Sequence, residues 1–331
     1  MDKRPGISVV VPCYNEAENI PSLLMRLQKV LKEKNYELVL VDDGSDDGTK
    51  ELLRKEATHN KRLNYLVLSR NFGHQAALKA GIDHARGACV VTMDADLQHP
   101  PETIPEMYAL WQKGYDVVTA RRSHVQQRGF LKNITARLFY GLLGRLTDTD
   151  MPAGAGDFRL FDRKVAEVIR NLPEQDLYLR GLFSWVGFRQ TTIPYMEGKR
   201  QRGQSKYNLW KMMKLAGSGI TSFSVRPLKI SLAAGLLFAI LAFGYGVYAI
   251  VMLVTGNTVT GWTSVIASIL FLSGIQLIVL GIMGEYLGKL FMENKRRPVY
   301  IISDTNLQLS ETTATLKTKG TIKSTTTTAI T

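Results

Sequence analysis

The sequence predicts an α/β domain with a mostly parallel sheet followed by a two-helix membrane hairpin, and three observations carry that prediction. Apolar, β-branched runs alternate with amphipathic stretches from Ile7 to about Ala120, the pattern of successive right-handed βαβ units. Several of these runs end in acidic or aromatic side chains, which in an open α/β sheet meet at the carboxyl edge where ligands bind. No charged residue occurs between Ile230 and Gly284, a composition foreign to soluble domains.

The strand-like runs, in order, are ISVVVPCY from Ile7, YELVLVDD from Tyr36, LNYLVLS from Leu63, ACVVTM from Ala88 and YDVVTA from Tyr115. Their length and β-branched content suit buried strands. Amphipathic patterns begin near Glu16, Gly48, Gln75 and Glu102, the second opened by the cap-rich GSDDGT. Farther on, GDFRLFDRKV reads as a short strand feeding a helix, and RQTTIPYME as a final strand. No G-x-G-x-x-G turn follows these strands, which disfavours a dinucleotide site.

The stretch richest in chemistry is ACVVTMDADLQHPPE. Asp94 and Asp96 lie two apart, so on an extended strand they share a face. Two carboxylates that close repel each other unless a cation lies between them, and all-oxygen ligation favours Mg²⁺ or Mn²⁺. An Asp-rich turn capping the helix after Pro100 and Pro101 is the alternative, and the tripeptide alone does not decide. Other strand ends add Pro12, Tyr14 and Glu16, then Asp42 and Asp43, and on the fifth run Arg121 and Arg122. A ring to stack on, carboxylates to accept amide or hydroxyl protons and a metal to neutralise a diphosphate suit a nucleotide.

A net charge of +13 points to an anionic partner. Residues 128–146 carry Arg128, Lys132, Arg137 and Arg145 around an apolar helical stripe, and this helix either lies in a membrane interface or packs on the sheet. A second amphipathic stretch, to about residue 222, follows the polar loop GKRQRGQSKY. Because the basic residues gather there while the sheet edge is acidic, nucleic acid is disfavoured as the partner. Residues 230–254 and 263–284 are each long enough to cross a bilayer, where roughly 20 residues are needed. Arg226 and Lys229 precede the pair and Lys289, Lys295, Arg296 and Arg297 follow it, which places both termini in the cytoplasm. Gly235, Gly244, Gly246, Gly274, Gly281 and Gly284 are small enough for close helix approach within the pair or between subunits, so a small homo-oligomer is plausible.

Three units follow: a cytosolic domain over residues 1–225, the hairpin over 226–290, and a Thr- and Ser-rich tail over 291–331 expected to be largely disordered. The N-terminus is short and charged and runs straight into a strand, so no signal peptide is expected. Cys13 and Cys89 sit inside strand runs and read as small buried hydrophobes. His59, His74, His84, His99 and His124 show no metal-ligand spacing and receive no role.

Taken together, VVVPCYNEAENI, VDDGSDDGT, SRNFGHQAAL, DADLQHPPE and RQRGQSKY resemble the family 2 glycosyltransferases of GT-A fold, over residues 7–290. In particular they are similar to the polyprenyl-phosphate branch, the bactoprenol glucosyltransferases and dolichyl-phosphate mannosyltransferases. The resemblance implies a Rossmann-like GT-A domain with amphipathic interface helices at about 128–146 and 207–222. It implies that Pro12, Tyr14, Glu16 and Ala95 line the nucleotide pocket, with Val41 and Asp43 at base and ribose. Asp94 and Asp96, helped by Gln98, would bind Mg²⁺ or Mn²⁺ on the diphosphate of a nucleotide sugar, UDP-glucose being the first expectation. Arg121, Arg200 and Lys206 would contact donor or acceptor phosphates, and Arg128, Lys132, Arg137 and Ser205 would join them in receiving polyprenyl phosphate at the bilayer. Asp157, in GAGDFRLF, takes the place of the family's acceptor-side catalytic carboxylate, as a base or as an orienting group; a plain turn residue is the other reading. The implied reaction is metal-dependent and inverting. A chain-extending transferase would carry Q-x-x-R-W, which is absent, and a non-catalytic scaffold would have no use for the paired carboxylates.

Overall fold

The computed structural model describes residues 4–123, 155–174, 178–196, 224–256 and 261–308. In chain order, β1 (Ile7–Cys13), α1 (Ile20–Val30), β2 (Tyr36–Asp42), α2 (Thr49–His59), β3 (Leu63–Leu68), α3 (His74–His84) and β4 (Cys89–Thr92) form the expected alternation. After a short 3-10 turn come α4 (Ile104–Gln112), β5 (Val117–Arg122), β6 (Ala155–Asp162), α5 (Arg163–Asn171), α6 (Leu179–Trp185) and β7 (Gln190–Tyr195). The hairpin helices are α7 (Arg226–Val254) and α8 (Trp262–Asn294), and β8 (Ile302–Thr305) closes the series.

One sheet of order β7-β5-β6-β4-β1-β2-β3-β8 holds the domain together. β1 to β4 run parallel, β6 lies antiparallel between β4 and β5, and β7 is parallel to β5. All of β1 and β2 is buried, which is why they read as continuous apolar runs rather than alternating ones. Alternate residues serve opposite faces: Val9 and Val11 pack with Leu23, Leu27 and Met107, whereas Val10 and Val39 pack with Ala77, Ile82 and Phe183. Gly81 lets α3 come down on the sheet, since a Cβ there would stand 2.2 Å from Val10 Cγ1.

The tail expectation is corrected at residues 302–305. These residues form an edge strand antiparallel to β3, and Asn306 accepts a hydrogen bond from the Tyr65 amide at 2.8 Å. Four residues with one strong apolar side chain carry no periodic signal; the free edge of β3 supplies the reason to be a strand.

The hairpin helices, of 29 and 33 residues, are long and apolar enough to cross a membrane. At 1.5 Å per residue the second is about 50 Å long, so its charged end from Glu285 onward extends past a ~30 Å hydrocarbon core. Phe238 and Phe271 meet edge-on at 6.1 Å, and Tyr286 donates to the Ser224 carbonyl at 2.5 Å. Among the described residues nothing stands within 4 Å of where a Cβ would sit on any of the six glycines, so no close helix approach is seen at them.

Candidate active site

A cleft of about 290 Å³ opens at the carboxyl ends of β1 to β4. Pro12 lines it from the end of β1, Tyr14 and Glu16 from the loop that follows, and Asp43 from just after β2. Asn71, Gly73 and His74 line it from the loop between β3 and α3 and the start of α3, and Asp94, Ala95 and Asp96 from the loop after β4. The first two loops are laced together. The Asn15 amide donates to Ser45 Oγ at 2.9 Å, the Asp46 amide to the Asn15 side-chain oxygen at 3.1 Å, and the Ala17 amide to Asp47 at 3.1 Å. Asn15 adopts φ 58°, which a short amide side chain tolerates. Asp43 anchors the third loop, its carboxylate accepting the Phe72 and Gly73 amides at 2.7 and 2.9 Å. Burial pushes its pKa up, and those two amides only partly offset this.

Asp94 is oriented from behind. Its amide donates to Nδ1 of His99 at 2.9 Å, so the proton of that imidazole lies on Nε2. His99 is buried, stacks on Phe158 at 5.0 Å and has its pKa lowered by burial, which keeps it neutral. Asp94 Oδ1 is buried with no hydrogen-bond partner among the described residues, 3.5 Å from His74 Nε2. Asp96 Oδ1 accepts the Gln98 amide at 3.1 Å across a turn in which Leu97 has φ 62°.

Asp157 enters from β6, beside β4, where Thr92 donates to its carbonyl at 2.6 Å. Arg180 forks onto both carboxylate oxygens at 3.0 and 2.8 Å, and His74 Nε2 lies 3.3 Å from Oδ2. Burial works to raise the Asp157 pKa, but the His74 and Arg180 hydrogen bonds and charges outweigh it and hold the carboxyl well below the usual range. For His74, burial opposes the charged form, yet Asp157 and Asp94 raise its pKa.

The cleft thus presents the carboxylates of Glu16, Asp43, Asp94 and Asp96 against one imidazole among its lining residues. A diphosphate entering it would meet like charge, which a divalent cation between them would offset. The residues fit such an ion: the donors are hard carboxylate oxygens, and one of them, Asp94 Oδ1, is buried and accepts no hydrogen bond from the described residues. Among the described residues no cluster of three or more His, Cys, Asp or Glu stands ready-made, and Mg²⁺ commonly takes part of its ligand set from substrate phosphate and water.

Residues 8–170 match the profile of "Glycosyl transferase family 2", and residues 226–290 that of the "GtrB C-terminal hairpin". A "Bactoprenol glucosyl transferase" of Shigella phage SfV is 43% identical over 301 residues, 90% of this chain and 98% of that protein. The chain belongs to glycosyl transferase family 2. A second relative, the "Uncharacterized glycosyltransferase YkcC" of Bacillus subtilis (strain 168), is 45% identical over 305 residues, 91% of this chain and 94% of that protein. A mannosyltransferase from Pyrobaculum calidifontis, solved with GDP-Man and Mn²⁺, superposes with a TM-score of 0.43 at 20% identity, covering 86% of this chain and 88% of that one.

Within this glycosyltransferase the expected residues divide. Pro12, Tyr14, Glu16, Asp43, Asp94, Ala95 and Asp96 share the cleft. Val41 does not: its side chain is fully buried beneath α3, which leaves only its backbone to meet a base. Gln98 is outside the lining, as is Arg121, exposed near the end of β5. Arg128, Lys132, Arg137, Arg200, Ser205 and Lys206, with both expected interface helices, lie outside the described residues. Three side chains at the site carry no role in the sequence reading: His74, His99 and Arg180. The histidines sit inside the SRNFGHQAAL and DADLQHPPE motifs, which was a usable signal. Arg180 has none.

Proposed function

We infer that this glycosyltransferase moves a hexose from a nucleotide sugar, UDP-glucose first, to polyprenyl phosphate at the cytoplasmic face of a membrane. The observation that carries the reading is the acidic cleft, in which a buried oxygen of Asp94 accepts no hydrogen bond from the described residues and faces only the His74 imidazole, on a chain that continues into an apolar hairpin. The name of the phage relative supports both sugar and acceptor. Asp94 and Asp96, with Gln98 as a third candidate, would hold Mg²⁺ or Mn²⁺, which supplies charge neutralisation at the leaving diphosphate. A phosphate oxygen of the lipid attacks the anomeric carbon as the bond to the nucleoside diphosphate breaks, and the centre inverts.

No proton has to leave the attacking atom, because a phosphate monoester with a second pKa of ~6 is mostly dianionic at neutral pH. That agrees with Asp157, whose oxygens are already engaged by Arg180 and His74: it orients rather than abstracts. Arg121, Arg200, Ser205 and Lys206 are our candidates for phosphate contacts. Arg128, Lys132 and Arg137 would hold the domain to an anionic leaflet at ~1 kcal/mol each.

The test is transfer from a panel of radiolabelled nucleotide sugars into solvent-extractable lipid, using purified protein, a short polyprenyl phosphate and Mg²⁺ or Mn²⁺. Label in the lipid that disappears in Asp96→Asn and with chelator is the expected result and names the sugar. Donor binding without transfer from any sugar would overturn the acceptor.

A further inference from the structure

We propose that Arg180 is a positioning residue of the active site, acting through Asp157 and His74 to orient the metal-facing carboxylate of Asp94; this rests on the reading of the cleft given above. Arg180 lies in the first turn of α6 and binds Asp157 through Nε and a terminal nitrogen at 3.0 and 2.8 Å. A planar guanidinium alone offers that fork, and Asp157 is only 6% exposed, so water competes poorly for its oxygens. Asp157 Oδ2 is 3.3 Å from His74 Nε2, and the same nitrogen is 3.5 Å from Asp94 Oδ1. One ring nitrogen between two carboxylates takes its place from the better-held one. Asp157 is that one, clamped at its side chain by Arg180 and at its backbone carbonyl by Thr92. Asp94 is anchored through its amide, while its Oδ1 has no hydrogen bond from the described residues and faces the imidazole.

A second contact makes the arrangement a unit. The Leu179 amide donates to the Gln75 side-chain oxygen at 3.1 Å, joining the residue before Arg180 to the residue after His74. The start of α6 and the start of α3 are therefore tied twice, once through Gln75 and once through Asp157. Arg180 is not among the residues that line the cleft, yet it sets where the imidazole stands.

The experiment uses the full chain in detergent and follows Mn²⁺ binding in the presence of UDP, by loss of the free-ion EPR signal, alongside thermal unfolding. Arg180→Gln and His74→Asn are each expected to weaken Mn²⁺ binding about 10-fold or more, with Arg180→Lys in between because an ammonium engages one oxygen at a time. The double variant Arg180→Gln/His74→Asn should be no weaker than the weaker single variant, since both act along one chain of contacts. Independent, multiplying losses, or wild-type Mn²⁺ affinity in Arg180→Gln, would overturn the proposal. Should Arg180→Gln fail to fold with Asp157 left as an unpaired buried charge, Arg180→Gln/Asp157→Asn removes that charge. Weakened Mn²⁺ binding there supports the proposal, and wild-type binding overturns it. Wild-type protein that binds no Mn²⁺ with UDP overturns the cleft reading and the proposal together, an outcome seen before any variant is compared.

Discussion

The Tyr300 hydroxyl donates to Asp83 Oδ2 at 2.8 Å, joining the chain that leaves the membrane hairpin to the helix that begins at His74. Lys79 holds the other Asp83 oxygen at 2.5 Å, and the Tyr300 ring meets His84 edge-on at 6.3 Å. Directly afterwards the Ser69 amide donates to the Ile301 carbonyl at 2.9 Å, and Arg54 pairs with Asp304 at 2.9 Å. The stretch from Asn294 to Tyr300 can reach ~20 Å at most, so the β3 edge of the sheet stays near the end of α8.

Tyr300→Phe is therefore expected to cost about 1 kcal/mol, the net worth of one hydrogen bond. Truncation after Val299 should lower the thermal midpoint further by baring the β3 edge, whereas truncation after Gln308 should leave it unchanged. Thermal unfolding of the three proteins in one detergent compares them; equal midpoints for both truncations would remove β8 from the stabilising contacts.

Gly44 has φ +74°, and a Cβ there would stand 2.6 Å from the Arg70 carbonyl carbon and 2.7 Å from the Asn71 amide nitrogen. Backbone atoms cannot swing aside as a side-chain tip can. Gly44→Ala should cost about 1–3 kcal/mol and displace the loop that Asp43 holds. The expected readout is UDP binding weakened at least ~10-fold, by titration calorimetry, since a near-complete site loses about one such factor per 1.4 kcal/mol.

Asp157 connects the site to acid stability. Its folded-state pKa is depressed, so its contribution is fully present above the ordinary carboxyl value of ~3.9 and is lost as pH falls from there through the folded value. Asp157→Asn should flatten the acid limb of the stability curve below about pH 4 while leaving its neutral-pH slope alone. Chemical denaturation at a series of pH values measures both; an unchanged acid limb would mean that other carboxylates dominate it.

Both cysteines should be inert in the folded protein. Burial, with Asp162 adding to it, pushes the Cys89 thiol up to about 12, and burial raises Cys13 well above its ordinary value, helped by Glu16, Asp42 and Asp47. Thiol-specific labelling should therefore begin only on unfolding, and labelling of either cysteine at a native-state rate similar to a free thiol would contradict the packing.

Much of the site was legible because chain order and space coincide there. Tyr14, Asp43, Asp94 and Asp96 end parallel strands β1, β2 and β4, and parallel strands deliver their last residues to one edge. The residues that escaped are those whose partners lie far along the chain. Arg180 follows Asp157 by 23 positions and sits in a short helix of unremarkable composition; β8 pairs with a strand more than 230 residues earlier. Val41 shows the same limit: position in a motif places a residue at the edge of the sheet but does not say whether its side chain turns to the cleft or, as here, into the core.

The amino-acid sequence by itself determined the α/β sheet, the apolar hairpin and the acidic edge, because hydrophobic periodicity and strand ends are local properties of the chain. The tertiary structure alone decided that β6 inserts between β4 and β5, bringing Asp157 beside Asp94, and that Arg180 and His74 engage it. A carboxylate's role depends on the charges and donors within a few ångströms of it, and those are assembled only when the chain folds.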